Sequence, residues 1–154
     1  MSNPPRKKGT RAETALVTWA RNHGFAGADR QPLRGTRDQG DATLAPGIII
    51  EVKAHRLPTG YPTRGQLDTW MGQTRTEAVN AGADLGILVV KRPGTQDVGR
   101  WFAHIWTTDW LDILDAPAAA WPVGITGSVV MLPLADLAVI LRHAGYGDTP
   151  EDNQ

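Results

Sequence analysis

Three residues near the middle of the chain have the types and the spacing of a hydrolytic metal site. Glu51 and Lys53 lie two positions apart in a run that begins with Ile48-Ile49-Ile50. Such a β-branched run predicts a strand, in which alternate side chains point to the same face. The carboxylate of Glu51 and the ammonium group of Lys53 therefore share a face, and Asp41 lies upstream beyond a Pro46-Gly47 turn.

The turn determines which residues of the two strands are opposite each other. In a tight hairpin centred on Pro46, equidistant residues pair, so Asp41 is expected opposite Glu51. Directly opposed Cβ atoms lie about 4.5–5.5 Å apart. Two carboxylates at that separation repel unless a cation bridges them, and an oxygen-only site selects a hard ion such as Mg²⁺ or Mn²⁺ over zinc.

Lys53 would then lie beside the ion, where it can orient a water or help to deprotonate it. That arrangement suits attack on a phosphodiester, in which negative charge builds up on phosphoryl oxygens. The alternative is an ordinary exposed ion pair, which is the usual meaning of Glu-x-Lys on a strand. Asp38 competes with Asp41 as the upstream carboxylate, but it has the opposite strand parity and ranks second.

The charge distribution favours a polyanionic partner. The chain contains 16 Lys and Arg and 16 Asp and Glu, so its net charge is zero. Residues 1–75 nevertheless hold 12 basic and 6 acidic side chains, whereas residues 76–154 hold 4 and 10. Arginine outnumbers lysine, and guanidinium binds phosphate with a two-pronged geometry. A basic face for nucleic acid is one interpretation, and an imbalance without function is the other.

Composition excludes several other classes of protein. With 154 residues, 41% hydrophobic and 21% charged, the chain has the make-up of one ordinary globular domain. It has no cysteine, which excludes disulfide scaffolds, thiolate zinc sites and a cysteine nucleophile. No apolar run is long enough to span a bilayer, and the basic start at Arg6 is not followed by a signal-peptide core. A cytoplasmic location without membrane contact is expected.

Periodicity and turn signals predict a single α/β (α+β) domain, with a mixed sheet flanked by helices. We expect a flexible basic arm over residues 1–9, a domain over 10–146 and a disordered tail over 147–154. The first helix is expected to begin at Thr10, where Thr10-x-x-Glu13 forms a capping box, and to end at Gly24. Further helices are expected at 64–81, 107–114 and 134–144, and strands at 41–44, 48–55, 85–91, 100–106 and 128–132.

Asp41, nine intervening residues and Glu51-Val52-Lys53 resemble the signature of the PD-(D/E)xK nucleases, with Gly40 at the position of the motif's proline. A more specific resemblance is to the archaeal-type Holliday junction resolvases, and it covers roughly residues 6–106. The segments that carry it are Arg6–Glu13, His23–Ala26, Gly35-Thr36, Ile50–Ala54, Tyr61, Ile87–Lys91 and Val98–Phe102.

This resemblance implies a restriction-endonuclease-like central sheet, with a family-like core over about 10–106 and an extension over 107–146. It also implies a homodimeric, Mg²⁺-dependent endonuclease that nicks two opposed strands of branched, four-way DNA, with Mn²⁺ able to substitute. Asp41, Glu51 and Glu13 would be catalytic metal ligands, together with the carbonyl of Val52, and Lys53 would be the catalytic lysine. The capping box is an alternative explanation of Glu13.

The chain departs from the family at two positions. Thr14 stands where an arginine is usual, and Thr36 replaces a serine. The expected DNA contacts are Arg11, Arg30, Arg34, Thr36, Arg37, Arg56, Tyr61 and Arg64. Arg30, Arg34 and Arg37 compete for the scissile phosphate, and Tyr61 is a candidate for stacking on a base. Gln66 and Gln73 lie two helical turns apart, and a solvent-exposed helix face is the expected explanation for both.

Three other functions remain open from the sequence. The first is the same chemistry on another DNA substrate, as in a repair, flap or restriction-like nuclease. The second is a DNA-binding module that has kept the fold and lost catalysis. The third is an interaction protein in which Glu51-x-Lys53 is incidental.

Overall fold

A six-stranded sheet with helices on both faces forms the molecule. The computed structural model describes residues 4–31, 38–116 and 127–149. The helices are α1 (Pro4–Arg21), α2 (Arg64–Ala81), α3 (Thr107–Ile113) and α4 (Leu134–His143), with a 3₁₀ turn at Val98–Arg100. The strands are β1 (Asp29–Arg30), β2 (Ala42–Ala45), β3 (Ile48–Lys53), β4 (Leu85–Val90), β5 (Phe102–Trp106) and β6 (Val129–Pro133).

The strands follow one another across the sheet in chain order, β1 to β6. Every neighbouring pair is antiparallel except β3 and β4, which are parallel and joined through α2. The predicted mixed sheet flanked by helices is therefore confirmed. Among the helices of the described residues, none combines the length and the apolar character needed to cross a bilayer.

The β2–β3 hairpin has the predicted register. Ala42 pairs with Ile50 and Thr43 with Ile49, and the register shifts only beside the turn, where Ala45 faces Ile48. Gly47 adopts φ +89° in this turn, and a Cβ there would lie 2.6 Å from Oδ2 of Asp84. The hairpin therefore needs glycine at position 47 for both conformation and space.

The two faces of the sheet bury different sets of side chains. On one face, Ile48, Ile50 and Val52 of β3 pack in the main core with Leu16 of α1 and Leu137 of α4. On the other face, a smaller cluster of Met71 from α2 with Leu88 and Val90 from β4 is buried. Because side chains alternate along a strand, Glu51 and Lys53 belong to this second face, beneath α2.

Helix α2 has clear signals at both ends. Thr63 and Gln66 form a reciprocal capping box, in which the Thr63 side chain accepts from the Gln66 N–H and the Gln66 side chain accepts from the Thr63 N–H. At the other end Gly82 adopts φ +63° and its N–H closes the last turn. Gln66 is thus used as a cap, and the predicted helix boundaries 64–81 are confirmed.

Both predicted flexible ends differ from the structure where it describes them. Helix α1 begins at Pro4 and not at Thr10, which suits proline because the first turn of a helix leaves its N–H groups unpaired. At the other end, the Asp148 carboxylate accepts from the N–H of Ala26, and the Asp148 N–H donates to the Gly24 carbonyl. The predicted tail is therefore ordered over 147–149, while residues 1–3 and 150–154 lie outside the described residues.

Candidate functional site

Asp41 directly precedes β2 and is held against β3 at the open end of the hairpin. Its N–H donates to the Ile50 carbonyl at 2.9 Å, and its Oδ2 accepts from the Val52 N–H at 2.8 Å. Gly40 has φ +90°, and a Cβ there would lie 3.2 Å from the Ile50 carbonyl oxygen. Gly40 turns the preceding chain away from β3. The Asp41 carboxylate therefore accepts from the Val52 N–H, which in a regular sheet would donate to a backbone carbonyl of the neighbouring strand.

Glu51 is the buried carboxylate of the predicted set. It is 5% exposed, with Oε1 3.0 Å from Nζ of Lys53, while its buried Oε2 has no hydrogen-bond partner among the described residues. Burial is the main cause that raises the pKa of Glu51, and the negative charge of Asp41 raises it further. The structure thus brings Asp41, Glu51 and Lys53 together at one end of the hairpin.

Lys53 is fixed by three neighbours. Its Nζ contacts Oε1 of Glu51, lies 3.4 Å from Oε1 of Gln73, and is 5.7 Å from the centre of the Trp70 ring. The Lys53 side chain is only 14% exposed. Gln73 lies on an exposed face of α2, as expected, and its amide oxygen in addition accepts from the ammonium group and helps to direct it toward Glu51.

Glu77 is a site residue that sequence reasoning missed. It follows Gln73 by one turn of α2 and is 1% exposed. As a carboxylate, neither of its oxygens has a donor among the described residues, but as a protonated acid it can donate to Glu51. Burial, followed by the hydrogen bond and the charge of Glu51, raises the pKa of Glu77 to about 9. The available signal was a glutamate on the buried face of α2, flanked by Thr74 and Ala78.

Glu13 approaches Asp41 from α1. Burial raises the pKa of Glu13, and the charge of Asp41 adds to the effect, whereas Arg30 opposes it with an ion pair at 2.8 Å. Because α1 begins at Pro4, Glu13 lies well inside the helix and not in its first turn. The capping-box explanation of Glu13 is therefore wrong, and Arg30 is occupied by this carboxylate.

Among the described residues, the site has more carboxylates than cations. Glu13, Asp41, Glu51 and Glu77 influence one another electrostatically, whereas Arg30 and Lys53 are the only described basic residues that form ion pairs with members of this group. The all-oxygen donors and the unpartnered Oε2 of Glu51 fit a hard divalent cation. However, no three Asp, Glu, His or Cys side chains of the described residues are already arranged around a common point as metal ligands.

The other upstream acid, Asp38, is used locally. Its Oδ1 accepts from the N–H of Gly40 at 3.0 Å, and its carbonyl accepts from the side-chain amide of Asn80. These contacts fix the turn that precedes Asp41. Asp38 contributes its charge to the environment of Glu77, but Asp41 is the residue held against β3.

The predicted DNA contacts are placed in different surroundings. Arg11 and Arg56 line one cleft, and Arg64 is exposed at the start of α2. Tyr61 points inward, since its hydroxyl lies 2.7 Å from Nε2 of the buried His104. Its ring packs edge-on against Phe102, so base stacking by Tyr61 stays a prediction that competes with this packing. Arg34, Thr36 and Arg37 lie outside the described residues.

These contacts make a site that can bind a cation and present an ammonium group beside it. Asp41 and Glu51 supply oxygens from adjacent strands, and Lys53 is directed toward the same place by Gln73 and Trp70. Such a combination can stabilise negative charge that develops on an oxyanion. In comparisons with known proteins, no family model, no curated protein and no solved structure matches the chain.

Proposed function

We propose that the protein is a Mg²⁺-dependent DNA endonuclease of the PD-(D/E)xK type. The observation that carries the proposal is the meeting of Asp41, Glu51 and Lys53 at the end of the β2–β3 hairpin. The basic first half of the chain supports a polyanionic substrate. Glu51 and Lys53 also lie on a central, buried strand, where an incidental surface ion pair is not expected.

In this proposal Asp41, Glu51, Glu13 and the Val52 carbonyl would hold the ion. A bound Mg²⁺ supplies Lewis-acid chemistry, by polarising the phosphate and lowering the pKa of a water. Lys53, held by Gln73 and Glu51, orients that water and stabilises negative charge on the phosphoryl oxygens. The ring of Trp70 lies beside this ammonium group, with its centre 5.7 Å from Nζ.

The finer features of the proposal come from the resemblance to Holliday junction resolvases. They are a restriction-endonuclease-like fold, a four-way DNA junction as the substrate, and a homodimer acting in the cytoplasm. The mixed sheet with helices on both faces is compatible with that fold. In the homodimer that the resemblance implies, each chain would supply one site for one of the two opposed strands.

Substitution of the central residues tests the proposal. We expect Asp41→Asn and Lys53→Ala each to lower the nicking rate at least roughly 100-fold, because each removes a group that stabilises the transition state. Binding to the junction should persist in both. The measurement is cleavage of a labelled mobile four-way junction with Mg²⁺, with and without EDTA, beside binding measured on the same DNA.

Asp68→Asn is the matched control, since Asp68 is an exposed acid on α2. It should cut at the wild-type rate. If Asp41→Asn cut as fast as the control, the assignment of the site would be wrong. Faster cleavage of duplex, flap or single-stranded DNA than of the junction would retain the chemistry and change the substrate.

A DNA-binding module without catalysis is the second candidate. It is favoured by the absence, within the described residues, of three acidic or histidine side chains already arranged as ligands around one point. This candidate predicts junction binding that is unaffected by Mg²⁺ and leaves the DNA intact. Product that appears with Mg²⁺ and disappears with EDTA rejects it.

A further inference from the structure

A basic cleft lies beside the carboxylate site. It has a volume of ≈ 590 Å³ and is formed by the segments that follow β3 and β4, together with α1. Its lining includes four cationic side chains and one histidine: Arg11, His55, Arg56, Lys91 and Arg92. Among the described residues that line it, none is an aspartate or glutamate, so their charge is uniformly positive or neutral.

The charged groups of the cleft are available to a ligand. Among the described residues, none of the four cations belongs to an ion pair. Nζ of Lys91 lies 5.9 Å from the centre of the Trp101 ring, and the Arg92 guanidinium lies 5.3 Å from that of Phe102. The aromatic rings therefore position these side chains without neutralising them.

The cleft is joined to the site through the ends of two parallel strands. The Lys91 N–H donates to the Lys53 carbonyl at 2.9 Å, directly beyond the paired strands. His55 stacks on Trp70, whose ring also lies near Nζ of Lys53. Ligands of open α/β sheets bind at the carboxyl ends of the strands, and here those ends lead from Glu51 into the cleft.

We propose that this cleft binds the sugar–phosphate backbone of DNA next to the phosphodiester presented to Lys53. Arg11, Arg56, Lys91 and Arg92 neutralise phosphates, and Lys91 and Arg92 extend the contacts beyond those expected from the sequence. The choice of DNA as the polyanion rests on the proposed function. Because the contacts are to phosphate, they position the DNA without reading its sequence.

A two-charge substitution tests the cleft. In EDTA, where no Mg²⁺-dependent cutting occurs, we expect Lys91→Gln/Arg92→Gln to weaken binding of a labelled four-way junction about tenfold or more. The plot of log affinity against log salt should become less steep by about 1.8, since each phosphate contact contributes about 0.9. Fluorescence anisotropy over a series of NaCl concentrations measures both quantities.

Arg75→Gln/Arg100→Gln is the matched control, because it removes two exposed positive charges that are not part of the cleft lining. It should change the slope much less. Lys91→Arg/Arg92→Lys keeps both charges and should keep the wild-type slope, which separates loss of charge from loss of folding. Equal slope changes in the two charge-removing variants would overturn the proposal, since net charge alone would then explain binding.

The same measurements distinguish this proposal from the nuclease assignment. Cleft-dependent binding without any Mg²⁺-dependent product would retain the cleft and reject the nuclease. Wild-type nicking together with an unchanged salt slope in Lys91→Gln/Arg92→Gln would retain the nuclease and reject the cleft.

Discussion

At the scale of single residues, Glu77 is, among the described side chains, in the least favourable surroundings for its charge. It is buried against Glu51, and no basic side chain forms an ion pair with it in the described part of the chain. Removing a carboxylate from water without a partner costs several kcal/mol, so the group retains a proton instead. A protonated Glu77 can donate to Glu51, whereas a charged one repels it.

This environment makes stability depend on pH. The folded-state pKa of Glu77 is about 9, above its ordinary 4.5, so folding favours the protonated acid. The stabilising effect is fully present below pH 4.5 and is lost as pH rises toward 9. Glu77→Gln keeps the shape and cannot ionise. In EDTA it should be more stable than wild type at pH 8, by on the order of 4 kcal/mol, and similar at pH 5.

Urea denaturation at both pH values measures this difference. Asp68→Asn, on the exposed side of the same helix, should show no comparable gain at pH 8. If the free energies of unfolding of Glu77→Gln and wild type differed by the same amount at pH 5 and pH 8, Glu77 would not be held as a protonated acid. A loss of nicking in Glu77→Gln would in addition indicate that the carboxyl helps to position Glu51.

At the scale of elements, α2 places Trp70, Gln73 and Glu77 over β3. The distance between this helix and the sheet depends on Gly86 of β4, which has no side chain to hold the helix away. A Cβ at position 86 would lie 2.9 Å from the Thr74 carbonyl oxygen and 3.1 Å from Cβ of Ala78. Both atoms belong to α2, and one of them is backbone. A larger residue therefore requires the helix to move away from the strand.

Two glycine substitutions distinguish the effect of this close packing from the effect of helix propensity within α2. Gly86→Ala should destabilise the protein by about 1–3 kcal/mol and lower nicking, because it displaces Gln73 and Glu77 from the site. Gly72→Ala, on the exposed side of α2 with no atom within 4 Å of the added Cβ, should stabilise it by about 0.5–1 kcal/mol. Thermal unfolding and the junction assay measure both, and a neutral Gly86→Ala would contradict the close contact.

Local signals explain which elements were predictable. The Pro46-Gly47 turn and the isoleucine run determine the hairpin register, and Thr63 with Gly82 determines the ends of α2. The missed features depend on long-range contacts. Glu77 becomes part of the site only because α2 packs across β3 and β4, and Tyr61 points inward only because β5 places His104 beneath it.

At the scale of the whole molecule, folding separates charge along β4. The strand begins beside a cavity of ≈ 240 Å³ lined by Asp84, Asp109 and Asp112. It ends at the basic cleft, about 20 Å away for a strand of this length. Lys91 and Arg92 come from the acidic half of the sequence and join Arg11 and Arg56 of the basic half. The basic face therefore forms because the fold brings these four residues together, and not because the first half of the sequence is basic.

Under the proposed function, this separation predicts how a chain of zero net charge associates with DNA. The rate of association with a labelled junction in EDTA should fall about tenfold or more between low salt and roughly 0.1 M, where the Debye length shortens to about 10 Å. Lys91→Gln/Arg92→Gln should slow association at low salt. Asp109→Asn/Asp112→Asn also changes the net charge by two, but at the other end of β4, so it should alter the rate little. Stopped-flow fluorescence measures these rates. Changes of equal size and opposite sign in the two variants would mean that net charge, and not the basic cleft, guides the encounter.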